Sequence, residues 1–196
     1  MDIVVSEITK RFGSNLVLDR FSATFPKSEL TFLMGPSGCG KTTLLNILMG
    51  FISPDEGTIS GVPELKSAVF QEDRLCESFN AVSNVRLACD RKVDKNTIIS
   101  HLERIGLKGS LSKPVSELSG GMKRRVAIVR AMLAESDILF LDEPFKGLDD
   151  ETKKTTIQYV KDNMGKRTVI MVTHDMDEVK ALGGRLITMS GKPASL

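Results

Sequence analysis

Long hydrophobic runs are missing from this 196-residue chain. None approaches the roughly 18–20 apolar residues that a membrane-spanning helix needs, so work at a membrane would require spans supplied by other subunits. The opening residues Met1-Asp2-Ile3-Val4-Val5 do not have the charged start and apolar core of a secretory signal. Cysteine is scarce: Cys39, Cys76 and Cys89 are an odd number without a C-x-x-C spacing, and there are two histidines. A disulfide framework and a zinc site are both unsupported, which points to the reducing cytosol. A strong charge of one sign is also lacking, since the formal net charge is +2. Nucleic acid is therefore not an expected partner, nor does overall charge suggest an anionic membrane surface. Internal repeats and low-complexity tracts are absent. The hydrophobic and charged content is that of an ordinary soluble chain, long enough for one sizeable α/β domain with, at most, a small attached subdomain.

What is present is concentrated in Gly35-Pro36-Ser37-Gly38-Cys39-Gly40-Lys41-Thr42-Thr43. The apolar run Leu30 to Met34 leads in, and the helical pattern Leu44, Leu45, Ile47, Leu48 leads out. The G-x-x-x-x-G-K-T spacing describes a phosphate-binding loop. Its glycines turn successive N–H groups inward, and the following helix adds the positive end of its dipole. Lys41 can reach terminal phosphates and Thr42 can ligate Mg²⁺. At Cys39 a small side chain suffices, and its N–H matters more than its thiol. The chain is too short for two complete domains of this kind.

In chain order, residues 1–34 read as short strands at Ile3 to Val5, Val17-Leu18 and Phe21 to Phe25, then the strand before the loop, with an antiparallel sheet expected at the start. Phe12, beside a turn, reads as a core or turn-packing aromatic. Gly50 stops the first helix, and Ser53-Pro54-Asp55-Glu56-Gly57 is a turn before a strand at Thr58 to Ser60. A further strand, Ala68-Val69-Phe70, ends at Gln71. From about Glu72 to Val115 the pattern is helical, with Ile98, Ile99, Leu102 and Ile105 on one face, Asp94 as N-cap and Gly106 as C-cap. Another helix opens at Ser116 to Gly121. Its stripe Met122, Val126, Val129, Leu133 is core, and its Lys123, Arg124, Arg125 and Arg130 read as a solvated face.

Ile138 to Leu141 and Val169 to Val172 are uninterrupted apolar runs, as expected of strands buried on both faces of a parallel sheet. Ligands gather at the carboxyl ends of such strands, so Gln71, Asp142, Glu143 and His174 are expected to face the phosphate loop. Phosphoanhydride hydrolysis needs charge neutralisation, a placed Mg²⁺ and a water held by a base. Asp142 suits the metal, Glu143 the general base, His174 a contact to the γ-phosphate, and Gln71 both metal and water. A helix Met176 to Leu182 and a strand Leu186 to Met189 follow.

Leu118-Ser119-Gly120-Gly121-Met122 is more than a generic phosphate-loop kinase requires; it resembles the signature motif of ABC-transporter ATPases. Five separated motifs occur in that family's order: the phosphate loop is similar to Walker A, Ile138 to Glu143 to Walker B, Gln71 to the Q-loop, Lys146-Gly147-Leu148-Asp149 to the D-loop, and His174 to the switch histidine. Phe12 lies 29 residues before Lys41, similar to the family's adenine-stacking aromatic. Phe70-Gln71-Glu72-Asp73-Arg74-Leu75, the LSGGM form, and the ending Gly184 to Pro193 resemble the nitrate, sulfonate and taurine importer branch.

The resemblance implies a P-loop NTPase (RecA-like) α/β core, an N-terminal antiparallel β-subdomain and an inserted helical subdomain. The expected division is residues 1–71 and 116–196 against about 72–115. It also implies Mg-dependent ATP hydrolysis powering import of a small anion or organosulfur solute. Two copies would sandwich ATP between one phosphate loop and the partner's Ser119-Gly120-Gly121, with Asp149 near that junction. Other implied partners are an integral membrane permease, contacted through the segment with Leu75, Phe79 and Val82, and an extracytoplasmic substrate-binding protein. The chain would sit peripherally on the inner face of the cell membrane.

There are departures from the pattern. Lys41 to Gln71 spans only 30 positions, implying a trimmed β-subdomain. Lys146-Gly147 replaces the commoner Ser-Ala, and Phe12 lacks a hydroxyl. With no residues remaining after the last strand for a regulatory domain, feedback control through such an appendage is not expected. Rival readings are an ABC exporter or lipoprotein-release ATPase, a small-molecule kinase, and an ABC-type ATPase acting on DNA or ribosomes.

Overall fold

The structure is a computed structural model describing residues 1–191; Lys192 and Pro193 of the importer-like ending lie outside the described residues. Strands β1 (Ile3–Phe12) and β2 (Asn15–Phe25) form one long antiparallel hairpin about the turn Gly13-Ser14, and β4 (Glu56–Ser60) pairs with the other edge of β1. Three short strands were expected in this region, and two long ones stand there. Register shifts between Val5 and Ile8 and again near Lys10, with Glu7 at φ 50° and Arg20 at φ 46°, let the strands run through positions where alternation fails. Such bulges absorb an extra residue and bend the strand instead of ending it.

The second sheet has the order β5-β6-β7-β3-β8, with every neighbouring pair parallel. Its strands are β3 (Leu30–Met34), β5 (Lys66–Val69), β6 (Ile138–Asp142), β7 (Thr168–Val172) and β8 (Arg185–Thr188). β6 and β7 are buried at all five positions, and successive side chains serve different cores. Ile138, Phe140, Ile170 and Val172 pack with helix α1 (Lys41–Met49) and the antiparallel sheet, whereas Leu139, Leu141, Val169 and Met171 pack beneath the later helices. The period-2 geometry of a strand requires this division, because each face has its own cover.

Residues 72–115 are less helical than their pattern implies. They hold α2 (Ala81–Arg86), α3 (Lys95–Arg104) and one 3₁₀ turn at Lys108–Ser110, a second 3₁₀ turn, Val115–Glu117, begins at their end, and 72–80 is irregular. That irregular path is held from inside: the buried Asn84 amide accepts from the Cys76 N–H at 2.8 Å and donates to the carbonyls of Cys76, Phe79 and Asn80. Asp94 caps α3 by accepting from the Thr97 N–H at 2.9 Å, and Gly106 follows the helix at φ 82°. α4 (Gly120–Leu133) buries Val126, Ala127, Ile128, Val129, Ala131 and Met132, a wider face than the expected stripe, whose ends Met122 and Leu133 are half-buried. α5 (Asp150–Asn163) and α6 (Met176–Leu182) complete the layers.

Candidate functional site

The loop between β3 and α1 carries two glycines that tolerate no side chain. At Gly35 (φ 155°) an added Cβ would stand 2.4 Å from the Met189 carbonyl oxygen, and at Gly40 (φ 97°) it would meet Leu18 at 2.9 Å. Gly40 is the N-cap of α1 and offers no side-chain acceptor, so the first N–H groups of the helix face the loop. Such an end attracts anions. Lys41 folds back over the loop, its Nζ donating to the carbonyls of Gly35 at 2.8 Å and Pro36 at 3.0 Å. Cys39 is buried beneath it.

A cleft of about 570 Å³ opens above this loop at the carboxyl ends of the parallel strands. Of the expected residues it gathers Phe12, Gly35, Ser37, Gly38, Gly40, Lys41, Thr42, Thr43, Gln71, Asp142, Glu143 and His174, and adds Val17, Lys146 and Val172. Pro36, Cys39, Leu118 to Met122 and Asp149 do not line it. Phe12 is half exposed at the rim, at the end of β1, and not in the core where residue type alone would put it. Another cavity, of about 530 Å³, lies where β6 and β7 begin, lined by Asp137 and Thr168; it has no glycine loop, and ligands of open parallel sheets collect at the opposite strand ends.

Asp142 closes β6 and accepts a hydrogen bond from the Thr42 hydroxyl at 3.0 Å. Burial pushes its carboxyl up, and the Thr42 bond opposes that. Glu143 follows at φ 47°, a left-handed conformation rare outside glycine, with its N–H bound to the Val172 carbonyl at 3.0 Å. Such strain persists only where surrounding contacts impose it. Its Oε2 accepts from Lys146 Nζ at 2.7 Å, and His174 Nδ1 stands 3.6 Å from Oε1. Burial pushes the Glu143 carboxyl up, but the Lys146 bond and charge, with His174, outweigh it and hold it below its ordinary value. The loop carrying His174 is braced by the Thr173 hydroxyl donating to Glu178 at 2.6 Å and by Lys153 bridging Asp175 and Glu178.

The basic face of α4 is not solvated, which corrects the reading from sequence. Arg124 is 7% exposed, donates to the carbonyls of Phe70 and Gln71 at 2.5 Å each, and lies 3.2 Å from Asp73. Arg130 donates to the carbonyls of Asp73 and Arg74, and Arg125 to that of Ile105. Two backbone-directed arginines, Arg124 and Arg130, thus hold the irregular chain after β5, Arg125 holds the end of α3, and Arg124 sets where Gln71 stands. A run of basic residues opening a helix carries no mark of which of them a distant carbonyl will claim. Arg124→Met is expected to cost about 2–3 kcal/mol, the worth of charge-assisted bonds plus the carbonyls left without a donor. Denaturant unfolding should show a lower midpoint at unchanged slope.

Ser119 is the N-cap of α4, its Oγ accepting from the Met122 N–H at 3.3 Å. Gly121 leaves room for Leu148, whose side chain an added Cβ would approach to 3.2 Å. Asp149 caps α5 by accepting from the Thr152 N–H at 3.0 Å. Leu118 is nearly buried. The stretch Leu118 to Met122 and the turn before α5 therefore pack together within one chain, apart from the cleft.

A phosphate-directed loop, strand-end carboxylates and a separate capped helix start define a P-loop nucleotide cassette. Residues 18–146 match the ABC transporter family model. The chain is 36% identical to the bicarbonate transport ATP-binding protein CmpD of Synechococcus elongatus, over 98% of this chain and 77% of that one. It is 33% identical to the aliphatic sulfonates import ATP-binding protein SsuB 1 of Pseudomonas syringae pv. syringae (100% and 83% covered). With the taurine import ATP-binding protein TauB of a Jannaschia species the identity is 34% (99% and 80% covered). Among solved structures, the dimeric structure of MJ0796, a bacterial ABC transporter cassette, superposes with a TM-score of 0.82 at 27% identity, covering 95% of this chain and 93% of that one. This chain belongs to the ABC transporter family, and its relatives include sulfonate and taurine import ATP-binding proteins, two members of the branch that its motifs resemble.

Proposed function

We propose that this chain is the Mg-dependent ATPase subunit of an importer for a small anion or organosulfur solute, with Glu143 as general base. The observation that carries the reading is the cleft in which Lys41, Thr42, Gln71, Asp142, Glu143 and His174 converge above the glycine loop. Backbone N–H groups of the glycine loop and of the first turn of α1, together with the Lys41 ammonium, neutralise phosphate charge. Phe12 offers its half-exposed ring to the adenine. Mg²⁺ fits the donors: Thr42 and Asp142 lie 3.0 Å apart, with Gln71 in the same cleft, and all three are oxygen donors. Magnesium commonly takes one or two protein oxygens and completes its shell with water and phosphate. When bound, it would offset charge building on the phosphate oxygens. Glu143 takes the proton of the attacking water, Gln71 orients that water, and His174 contacts the γ-phosphate.

Leu118 to Met122 and Asp149 complete the site from a second copy. The N-terminus of α4 presents Ser119 and the Gly120 and Gly121 N–H groups to a γ-phosphate held by the partner. Contact with both halves closes the pair; cleavage removes it, and the equilibrium reopens. The domain divides into the two-sheet core and a helical part of about residues 72–115 that passes this motion to a permease. No helix among the described residues is long and apolar enough to cross a membrane, so the permease supplies the spans. The subunit rests on the inner face of the membrane, and a binding protein delivers solute outside. The imported class is proposed from the bicarbonate, sulfonate and taurine relatives. The test is purification of the chain with its native complex. A membrane subunit should co-purify, and reconstituted vesicles should take up an anion of this class only with ATP. Hydrolysis stimulated by nucleic acid, with no membrane subunit recovered, would overturn the reading.

A further inference from the structure

Lys146 pairs with Glu143 but takes no part in the proposed reaction, yet it lines the same cleft as the phosphate loop. The turn that carries it is rigid: Phe145 is buried, and the Lys146 N–H donates to the Glu143 carbonyl at 3.2 Å. Its side chain is half exposed and ends on Glu143 Oε2 at 2.7 Å, while the Glu143 side chain is 19% exposed. An ammonium at this distance from the carboxylate assigned as general base competes for the lone pairs that would receive the water's proton. The pair faces an open cleft, where such pairs are weak. Lysine is a compact charge on a flexible four-carbon stem, able to move between neighbouring anions.

We propose that Lys146 is a second phosphate-directed cation, which occupies Glu143 in the nucleotide-free chain and moves to the terminal phosphate when a triphosphate enters. The cleft then contains a built-in discrimination. A γ-phosphate draws the ammonium away and leaves Glu143 able to take a proton; a diphosphate, with no charge at that point, leaves the two paired. Lys146 is thus a positioning residue for Glu143 and a specificity residue for ATP over ADP. No bond is made or broken by it. The inference rests on the nucleotide reading above, deepening the same site.

The test is equilibrium titration of the purified full chain, with Mg²⁺, against ATP and against ADP, for wild type, Lys146→Met, Lys146→Arg, Glu143→Gln and the Met/Gln double variant. Lys146→Met should lower the ratio of ATP to ADP affinity by roughly 10- to 100-fold, the worth of one charge-assisted contact, and Lys146→Arg should restore most of it. Glu143→Gln releases the ammonium and should tighten ATP a few-fold, a gain that disappears in the double variant. An ion pair serving the fold alone would shift melting and leave both ratios alone. Wild-type ATP binding with a ratio unmoved by Lys146→Met overturns this inference and spares the nucleotide reading; no ATP binding by the wild type overturns both.

Discussion

Glu143→Gln lowers steady-state ATP turnover by roughly 10²–10⁴-fold and leaves ATP binding no weaker. The loss corresponds to about 3–5 kcal/mol of barrier. Its origin is narrow. The residue's backbone is fixed by the Val172 carbonyl and by a φ of 47°, neither of which the amide alters. Glutamine fills the same space, so the cleft retains its shape. What disappears is the anion proposed to take the water's proton, a carboxyl that burial pushes up and that Lys146 and His174 hold below its ordinary value in the nucleotide-free chain. Removing negative charge beside a triphosphate cannot weaken binding on electrostatic grounds. Phosphate-release kinetics and a nucleotide titration on the same preparation separate the two effects. Turnover at the wild-type rate would remove Glu143 from the role of base. A parallel fall in affinity would make it a binding group.

The cleft was legible in the sequence where chemistry demands particular residue types at close spacing. Gly35 to Thr43 is one continuous stretch, and its glycines are fixed by contacts with Met189 and Leu18 that any larger residue would violate. The residues at strand ends were legible for another reason: the apolar runs ending at Leu141 and Val172 are buried on both faces, and the first polar residues beyond such runs emerge at the carboxyl edge. Two things were not legible. Strand length in the N-terminal hairpin depends on bulges at Glu7 and Arg20, where the backbone takes left-handed angles that no composition rule assigns to Glu or Arg. The fate of the arginines on α4 depends on partners far along the chain: the Phe70 and Gln71 carbonyls are 54 and 53 positions from Arg124. Helical periodicity tells which side of a helix a residue occupies, but not whether water or another segment's backbone covers that side. Lys146 was visible as a departure, and its three-residue spacing from Glu143 was the available signal for the pair.

Ser119→Asp is expected to reduce hydrolysis by at least ~10²-fold while ATP binding to the isolated chain stays within about twofold, because the role proposed for the serine is toward a nucleotide held by another copy. Aspartate is chosen because it caps a helix as well as serine. It can take over the bond from the Met122 N–H and keep α4 in place. Its charge, however, would be set against the γ-phosphate across the junction, where like charges in a water-poor site repel strongly. Ser119 does not line the cleft of its own chain, so that cleft has no means of sensing the change. The distinction between a trans and a cis role can be made by mixing. A chain with Lys41→Ala has a defective phosphate loop and an intact Ser119, and a chain with Ser119→Asp has the reverse. Each alone is inactive in the pair. A mixed pair brings the intact loop of one chain to the intact Ser119 of the other, rebuilding one complete site and returning measurable turnover. If both variants fold, if the Ser119→Asp chain binds ATP, and if no activity returns on mixing, Ser119 acts within its own chain and the shared site is wrong.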